Sequence, residues 1–309
     1  MSVRHLQGIG SGIATDILGP EVFPQLAFHG VCRRPRQLLS CEVLRAVDRP
    51  DRLCVEFLDQ EPYFVVGDGV DSTGTSVRGE DFLPPPGTPV SLLIADCCLA
   101  EGRTESLVFG HDVDGPPSIS LIASAAYHAR RSRVNPREFR SWTLSEIVRR
   151  LAVDLGLEAR IDMPDLTIPC FQLSGDPLRD LRELARRCSV GIAVVGDKLV
   201  AVRELPSSPR EYVLGVSLLS RLLALRVHLC LAGGGSRRLL EISLPGASIA
   251  EPLDRILLEG FGSRPDGRYR LVRSRTRLDS SGWSSHLLLS EEGPASICLD
   301  LPEGGEVQP

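Results

Sequence analysis

The sequence predicts a mainly β protein with an α+β unit inserted between two β regions. Three observations carry that reading. Short apolar runs broken by Gly and Pro turns fill the first ~130 residues. The apolar period then changes from two to that of a helix between Thr143 and Cys188. From Arg226 onward the pattern returns to strands.

In the first region, Leu53, Val55 and Phe57 alternate with polar or small neighbours, the signature of a half-buried strand. A short apolar run, Val90 to Ala95, follows the breaker Pro84-Pro85-Pro86-Gly87. Glu101-Gly102 is predicted as a turn, with Ser106 to Gly110 returning as a strand. Ile119, Leu121 and Ala123 alternate once more, and the spacing suggests a barrel or sandwich. Residues 67–82 are polar and glycine-rich and are predicted as a long loop or insertion.

In the middle region, Thr143-Leu144-Ser145-Glu146 is a capping box, in which side chain and backbone satisfy each other at a helix start. Leu144, Ile147, Val148, Leu151 and Leu155 then share one face, and Gly156 supplies the stop. Asp176 caps a second helix with Pro177 in its first turn. That helix has the stripe Leu178, Leu181, Leu184, Ala185 and Cys188 opposite an arginine-rich face. Ile192 to Val195, a turn at Gly196-Asp197 that includes Lys198, and Leu199 to Val202 form a hairpin.

Pro206-Ser207-Ser208-Pro209 reads as a linker. Beyond it, Arg226 to Leu231 and Leu239 to Leu244 flank Gly233-Gly234-Gly235 as strands. Ile256 to Phe261, Tyr269 to Leu278 and Trp283 to Ser290 form a three-strand meander with turns near Asp266-Gly267 and Asp279-Gly282. No repeat of fixed period is visible.

Composition narrows the function classes. The 309 residues carry a net charge of −5, so no general basic field draws the chain to nucleic acid. Lys198 is the one lysine among 35 basic residues, an imbalance that a GC-rich coding sequence explains. No run of 18 apolar residues exists to span a membrane, and no secretory signal is visible at the N-terminus. The nine cysteines have no zinc spacing; most sit among apolar neighbours, read as small buried hydrophobes, and imply a reducing compartment.

Motifs for chemistry are missing. Gly8-Ile9-Gly10-Ser11-Gly12 lacks a preceding strand and the dinucleotide spacing, and no Walker lysine or nucleophile elbow occurs. His111-Asp112-Val113-Asp114 is the densest acidic histidine stretch and is read as a polar turn between strands. His228 and His286 fall in strand patterns and are read as structural. Asp68 to Gly74 lacks the order of a calcium loop. Aromatic residues make up 5% and form no stacking platform. No catalytic residue, cofactor site or metal site is predicted.

Several segments nonetheless carry a recognisable order. Ser118-Ile-Ser-Leu-Ile-Ala-Ser-Ala125, Ala129-Arg-Arg-Ser-Arg133 and Arg140-Ser-Trp-Thr-Leu-Ser-Glu-Ile-Val148 resemble the phage late control protein D family. These are baseplate hub proteins of contractile tails, related to the hub part of type VI (VgrG) spike proteins. Phe171-Gln172, Asp176 through Arg187 and Asp197-Lys-Leu-Val-Ala-Val202 continue the likeness, as do Gly267 to Val272, Arg277-Leu278-Asp279 and Gly282-Trp283. It covers residues 85–205 well and 255–290 moderately. The family often carries a histidine where this chain has Thr276.

The resemblance implies two tail-tube-like β-barrel domains, 1–133 and 207–309, with a small α+β domain, 134–206, between them. It implies a homotrimer that adapts a sixfold tube to a threefold spike. Partners would be the spike protein below and the tube protein above, with wedge and tape measure proteins as further candidates. Assembly in the bacterial cytoplasm and residence at a baseplate follow, with no cofactor. Arg130, Arg131 and Arg133 are candidate subunit contacts, a solvated surface stretch being the other reading. Two alternatives stay open. One is a tail-associated cell-wall hydrolase using carboxylates among Glu101, Glu105, Asp112 and Asp114; the other is a stand-alone β-rich binding module using the 67–82 loop.

Overall fold

The computed structural model describes residues 24–47, 50–66, 79–80, 82–94, 97–110, 116–131, 133–203, 211–215, 222–232, 235–248 and 250–292. The glycine-rich stretch Gly8–Gly12, residues 67–78 of the predicted loop, His111 to Asp114 and the linker Pro206 to Pro209 lie outside these residues.

Nine strands form the first β unit. They are β1 (Gln25–Phe28), β2 (Val31–Pro35), β3 (Leu38–Ala46), β4 (Arg52–Leu58), β5 (Phe64–Val66), β6 (Gly79–Glu80), β7 (Pro89–Ile94), β8 (Cys97–Gly110) and β9 (Ser118–Ser124). The predicted alternations hold. Leu53, Val55 and Phe57 point inward from β4 and Ile119, Leu121 and Ala123 from β9, all at or below 3% exposure. Phe28 and Phe64 meet edge to face with 5.5 Å between centroids, an arrangement aromatic pairs favour.

The unit closes on itself. Its order runs β3-β4-β9-β8-β7-β1-β2, and only Arg36 and Gln37 separate β2 from β3. Backbone bonds from Arg36 N–H to Tyr63 O (2.9 Å) and from Leu58 N–H to Gln37 O (3.0 Å) carry the pairing across that junction. The ladder therefore returns to the strand on which it began, as in a barrel.

The sequence placed a turn at Glu101-Gly102, but both residues lie inside β8, a single 14-residue strand. Glycine here serves close approach rather than reversal. A Cβ on Gly102 would sit 2.4 Å from the carbonyl oxygen of Ser124.

The middle unit comprises α1 (Ala126–Arg131), β10 (Arg137–Thr143), α2 (Leu144–Leu155), β11 (Glu158–Asp162), β12 (Thr167–Leu173), α3 (Pro177–Arg187), β13 (Gly191–Val195) and β14 (Lys198–Val202). Its capping box forms as predicted: Glu146 N–H donates to Thr143 Oγ1 (3.3 Å) and Thr143 N–H to Glu146 Oε2 (2.8 Å). Gly156 ends α2 with φ +69°, a left-handed conformation that glycine adopts without strain. Asp176 caps α3, accepting from the Arg179 amide at 3.2 Å. Lys198 begins β14 rather than sitting in the turn, because β11 pairs in parallel with β14 and sets Glu158 beside it at 3.8 Å. One apolar core, from Tyr127 to Ala201, fills this unit.

The third unit comprises β15 (Glu211–Gly215), β16 (Ala224–Ala232), β17 (Gly235–Pro245), β18 (Arg255–Glu259), β19 (Gly267–Asp279) and β20 (Gly282–Glu291). The meander β18-β19-β20 matches the sequence expectation. These strands run in the order β16-β17-β20-β19-β18-β15 around their own core, which includes Tyr212, Leu240, Ile242, Ile256, Tyr269 and Leu289.

Several contacts join the units. β19 pairs with β18 through Gly267 to Arg270 and with β3 through Arg273 to Leu278, so one strand serves both β units. Val47, Val272 and Ala193, one from each unit, pack together at the junction. Arg182 of α3 donates to the Val47 carbonyl at 3.0 Å.

Beside this junction lies Arg270, whose side chain is 5% exposed. It pairs with Glu292 and donates to the Leu253 carbonyl (3.0 Å), while Arg255 holds the same Glu292 at 3.0 Å. Burial pushes the Arg270 pKa down and the Glu292 charge offsets that push. Removing Arg270 leaves Glu292 to Arg255 alone and takes away the bond to the Leu253 carbonyl. Arg270→Ala is therefore expected to cost about 1–3 kcal/mol of stability. Urea unfolding followed by circular dichroism measures it, and a loss under about 0.5 kcal/mol would place Arg270 with ordinary surface residues.

Candidate assembly surfaces

The join between the β units produces one antiparallel ladder of eight strands, β16-β17-β20-β19-β3-β4-β9-β8. Side chains alternate across a sheet, so each strand has two faces. One face of this ladder covers both β cores. The opposite face is polar. Ser40 and Ser118 both donate to Glu56 at 3.1 Å, spanning β3, β4 and β9. Arg275 reaches Glu42 across the β19–β3 join at 2.7 Å. Ser243 Oγ and His286 Nδ1 lie 2.7 Å apart between β17 and β20. Burial, then Arg275 and Arg277, push the His286 pKa down, which keeps the imidazole neutral near pH 7. His228 lies 3.5 Å from Glu241 on the same face. Both histidines thus sit in strands, within polar cross-strand pairs.

The ladder has two ends. At one, β16 pairs with β17 alone among the described residues. At the other, β8 pairs with β7 through Arg103 and with β9 from Arg103 to Gly110. Past Thr104, whose amide still bonds Thr88 O (2.9 Å), the β7-side edge of β8 has no partner strand among the described residues. Both ends carry exposed apolar side chains: Leu229 (74% exposed) and Val227 on β16, Phe109 (62%) and Val108 (48%) on β8.

The arginine run lies at the start of the middle unit. Arg131 pairs with Asp176 through its Nε at 2.8 Å, tying α1 to the cap of α3. Burial works to raise the Asp176 pKa, but Arg131 and the Arg179 amide outweigh it and hold it low. Arg130 lies against Gly156, and Arg133 is exposed. Glu101 and Glu105 stand four residues apart on β8, about 13 Å along an extended strand. Glu105 accepts from Ser124 at 2.5 Å and faces His128 at 3.4 Å, while Glu101 lies 3.5 Å from the Cys98 thiol.

The cysteines depart from expectation. Cys41 alone among the described thiols is buried, its pKa pushed up by burial; Cys98 and Cys170 are exposed, and Cys32, Cys54 and Cys188 half-buried. Strand alternation explains it: Cys54 lies between inward Leu53 and Val55 and so faces out. Apolar neighbours in sequence do not mean a buried position on a strand. Among the described residues no group of three or more ligating side chains could hold a metal, and no helix is long and apolar enough to cross a membrane.

No family model matches the sequence, and no curated protein matches it. Solved structures do match the fold. A 43 kDa tail protein of prophage MuSo2 from Shewanella oneidensis superposes with TM-score 0.63 at 12% identity, over 90% of this chain and 99% of that one. A tail protein from Neisseria meningitidis MC58 gives TM-score 0.64 at 11% identity, over 89% and 98%. An E. coli component of the type VI secretion system, described as structurally similar to T4 bacteriophage tail proteins gp27 and gp5, gives 0.60 at 10%, over 87% and 77%. This chain therefore has the fold of phage tail proteins and of that secretion component, mainly β with an α+β part.

Among the described residues Asp51, between β3 and β4, is the one carboxyl whose pKa burial raises strongly. Burial raises its pKa to about 6, against the pull of Arg45 and the Ala46 amide. The folded state therefore holds a proton that the unfolded state releases between about pH 4 and 6. Stability is expected to fall by about 3 kcal/mol as pH rises through that window. Asp51→Asn should flatten the dependence and raise stability at pH 7. Urea midpoints at pH 4, 5, 6 and 7 test it; parallel profiles for both chains would refute it.

Proposed function

We propose that this chain is a structural baseplate hub protein of a contractile tail or injection system. It acts as a homotrimer that matches the sixfold tube above to the threefold spike below. One observation carries the reading: two β units with separate cores, joined edge to edge through β19 and β3, in a chain that shares its fold with tail proteins over about nine-tenths of its length. In this reading each chain contributes two tube-like β units, so that a trimer presents six, the geometry that a six-to-three adaptor needs. In this reading the domains are 1–133, 134–206 and 207–309, and the role is assembly rather than turnover. Tube and spike proteins are the partners, wedge and tape measure proteins are further candidates, and the baseplate is the location after assembly in the cytoplasm. Arg130 and Arg133, both exposed, are the members of the arginine run best placed to meet a neighbouring subunit.

Light scattering on the purified, reduced chain tests this. A mass about three times 33.6 kDa, alone or on adding the spike protein encoded beside it, is the expected result. A monomer indifferent to spike and tube proteins would overturn the reading.

A further inference from the structure

We propose that the α+β unit is a hinged body, docked on an apolar seat that both β units present, and that it lifts from this seat while the eight-strand ladder stays whole. The inference goes beyond the hub reading and concerns one copy of the chain by itself.

Three observations point to it. The first is that no sheet is shared. Among the described residues β10 pairs with β12, and β11, β14 and β13 pair with one another, but none of the five pairs with a strand of the β units. The ladder from β3 to β19 is therefore complete without them.

The second is the narrowness of the seat. The unit's own core runs from Tyr127 to Ala201 and takes in no strand residue of the β units. At the seat, Val47 and Val272 meet Ala193 of β13, with Val195 of β13 and Leu253 packed against them. Strand alternation divides β13 between the two: Ile192 and Val194 turn to the unit's own core, Ala193 and Val195 to the seat. Polar contacts across the seam include Arg182 to the Val47 carbonyl at 3.0 Å and His128 beside Glu105 at 3.4 Å. The chain enters the unit at Ala125, whose amide donates to the Asp51 carbonyl at 3.0 Å, and this places the hinge at the end of β9. Units of one chain that meet over a small area move relative to one another by default.

The third is strain. Leu253 has φ +74°, a left-handed conformation that a bulky side chain adopts only under constraint. That constraint lies within the third unit. The Leu253 amide donates to the Leu271 carbonyl (2.8 Å), Arg270 donates to the Leu253 carbonyl (3.0 Å), and the Glu251 amide donates to Asp254 Oδ2 (2.8 Å). Strain of this kind persists where the surroundings over-determine it, and it gathers at working sites. Here it sets an apolar side chain in the seat beneath β13, so the third unit carries the strain and the α+β unit gains the contact.

Calorimetry and hydrogen exchange on the full-length chain test this with two variants, Leu253→Gly and Ala193→Asp. Glycine takes up φ +74° without strain but offers no side chain to the seat. Leu253→Gly is therefore expected to split melting into two transitions, the α+β unit apart from the β units, with exchange in Arg255–Glu259 unchanged or slower. A leucine that served only the core of its own unit would give a single lowered transition and faster exchange in that strand. Ala193→Asp sets a carboxylate in the seat and is expected to give the same split. Should exchange across Leu144–Leu155 show that Ala193→Asp unfolds the α+β unit itself, Leu253→Gly decides alone. Two transitions already present in the unsubstituted chain would also support the hinge. A single transition in all three chains, or faster exchange of β18 in Leu253→Gly, overturns it. Neither result bears on the oligomer, so the hub reading stands or falls separately.

Discussion

The backbone ladder between β3 and β19 is the constraint on which the remaining architecture depends. It joins residues on either side of the α+β unit, with the Glu42–Arg275 pair spanning 233 positions of sequence. Without it the two β units would be separate bodies, each with a bare edge. With it their inner faces keep separate cores while their outer faces merge into one polar surface. Hydrogen bonds fix the spacing of the strands, and side-chain alternation then decides which residues face the cores. Thr276, buried on the core side, bonds Ser285 within the same meander at 3.2 Å, so register is supported from both faces.

The α+β unit meets this frame at a few points, among them His128 of α1 against Glu105 of β8. Val47, Val272 and Ala193 make an apolar point of contact, and Arg182 adds a hydrogen bond to the Val47 carbonyl. Its own core is closed and locally built, with caps at both ends of α2. The arginines that look surplus in the sequence have local tasks here. Arg131 secures α1 to the start of α3, and Arg137 pairs with Asp154 on α2.

How much of this was legible in the sequence follows from the range of the forces involved. The capping box at Thr143, the stop at Gly156 and the hairpin at Gly196-Asp197 depend on neighbours a few residues away, and all were readable. The alternation of Leu53, Val55 and Phe57 was equally plain. Gly102 misled because close approach and reversal use the same residue, and the carbonyl it accommodates belongs to Ser124 on another strand. The two open edges were hidden for a related reason. Leu225, Val227 and Leu229 alternate as any one-sided strand does, and nothing local says that the core ends near Leu225 while the strand continues. Asp51 gave no signal either, since its burial comes from chain folded around the join.

The placement of the α+β unit between the two halves of the ladder also bears on how the chain reaches its fold. A pairing between β3 and β19 must close a very long loop, and closure costs entropy that grows with the logarithm of loop length. A unit rich in local contacts forms sooner than distant strand pairs. Once the core from Tyr127 to Ala201 has condensed, it stands as one body in the middle of that loop. The search for register between β3 and β19 is then made by two shorter arms hinged on a folded centre. In that order of events the folded middle unit shortens the free loop that the pairing of β3 with β19 has to close.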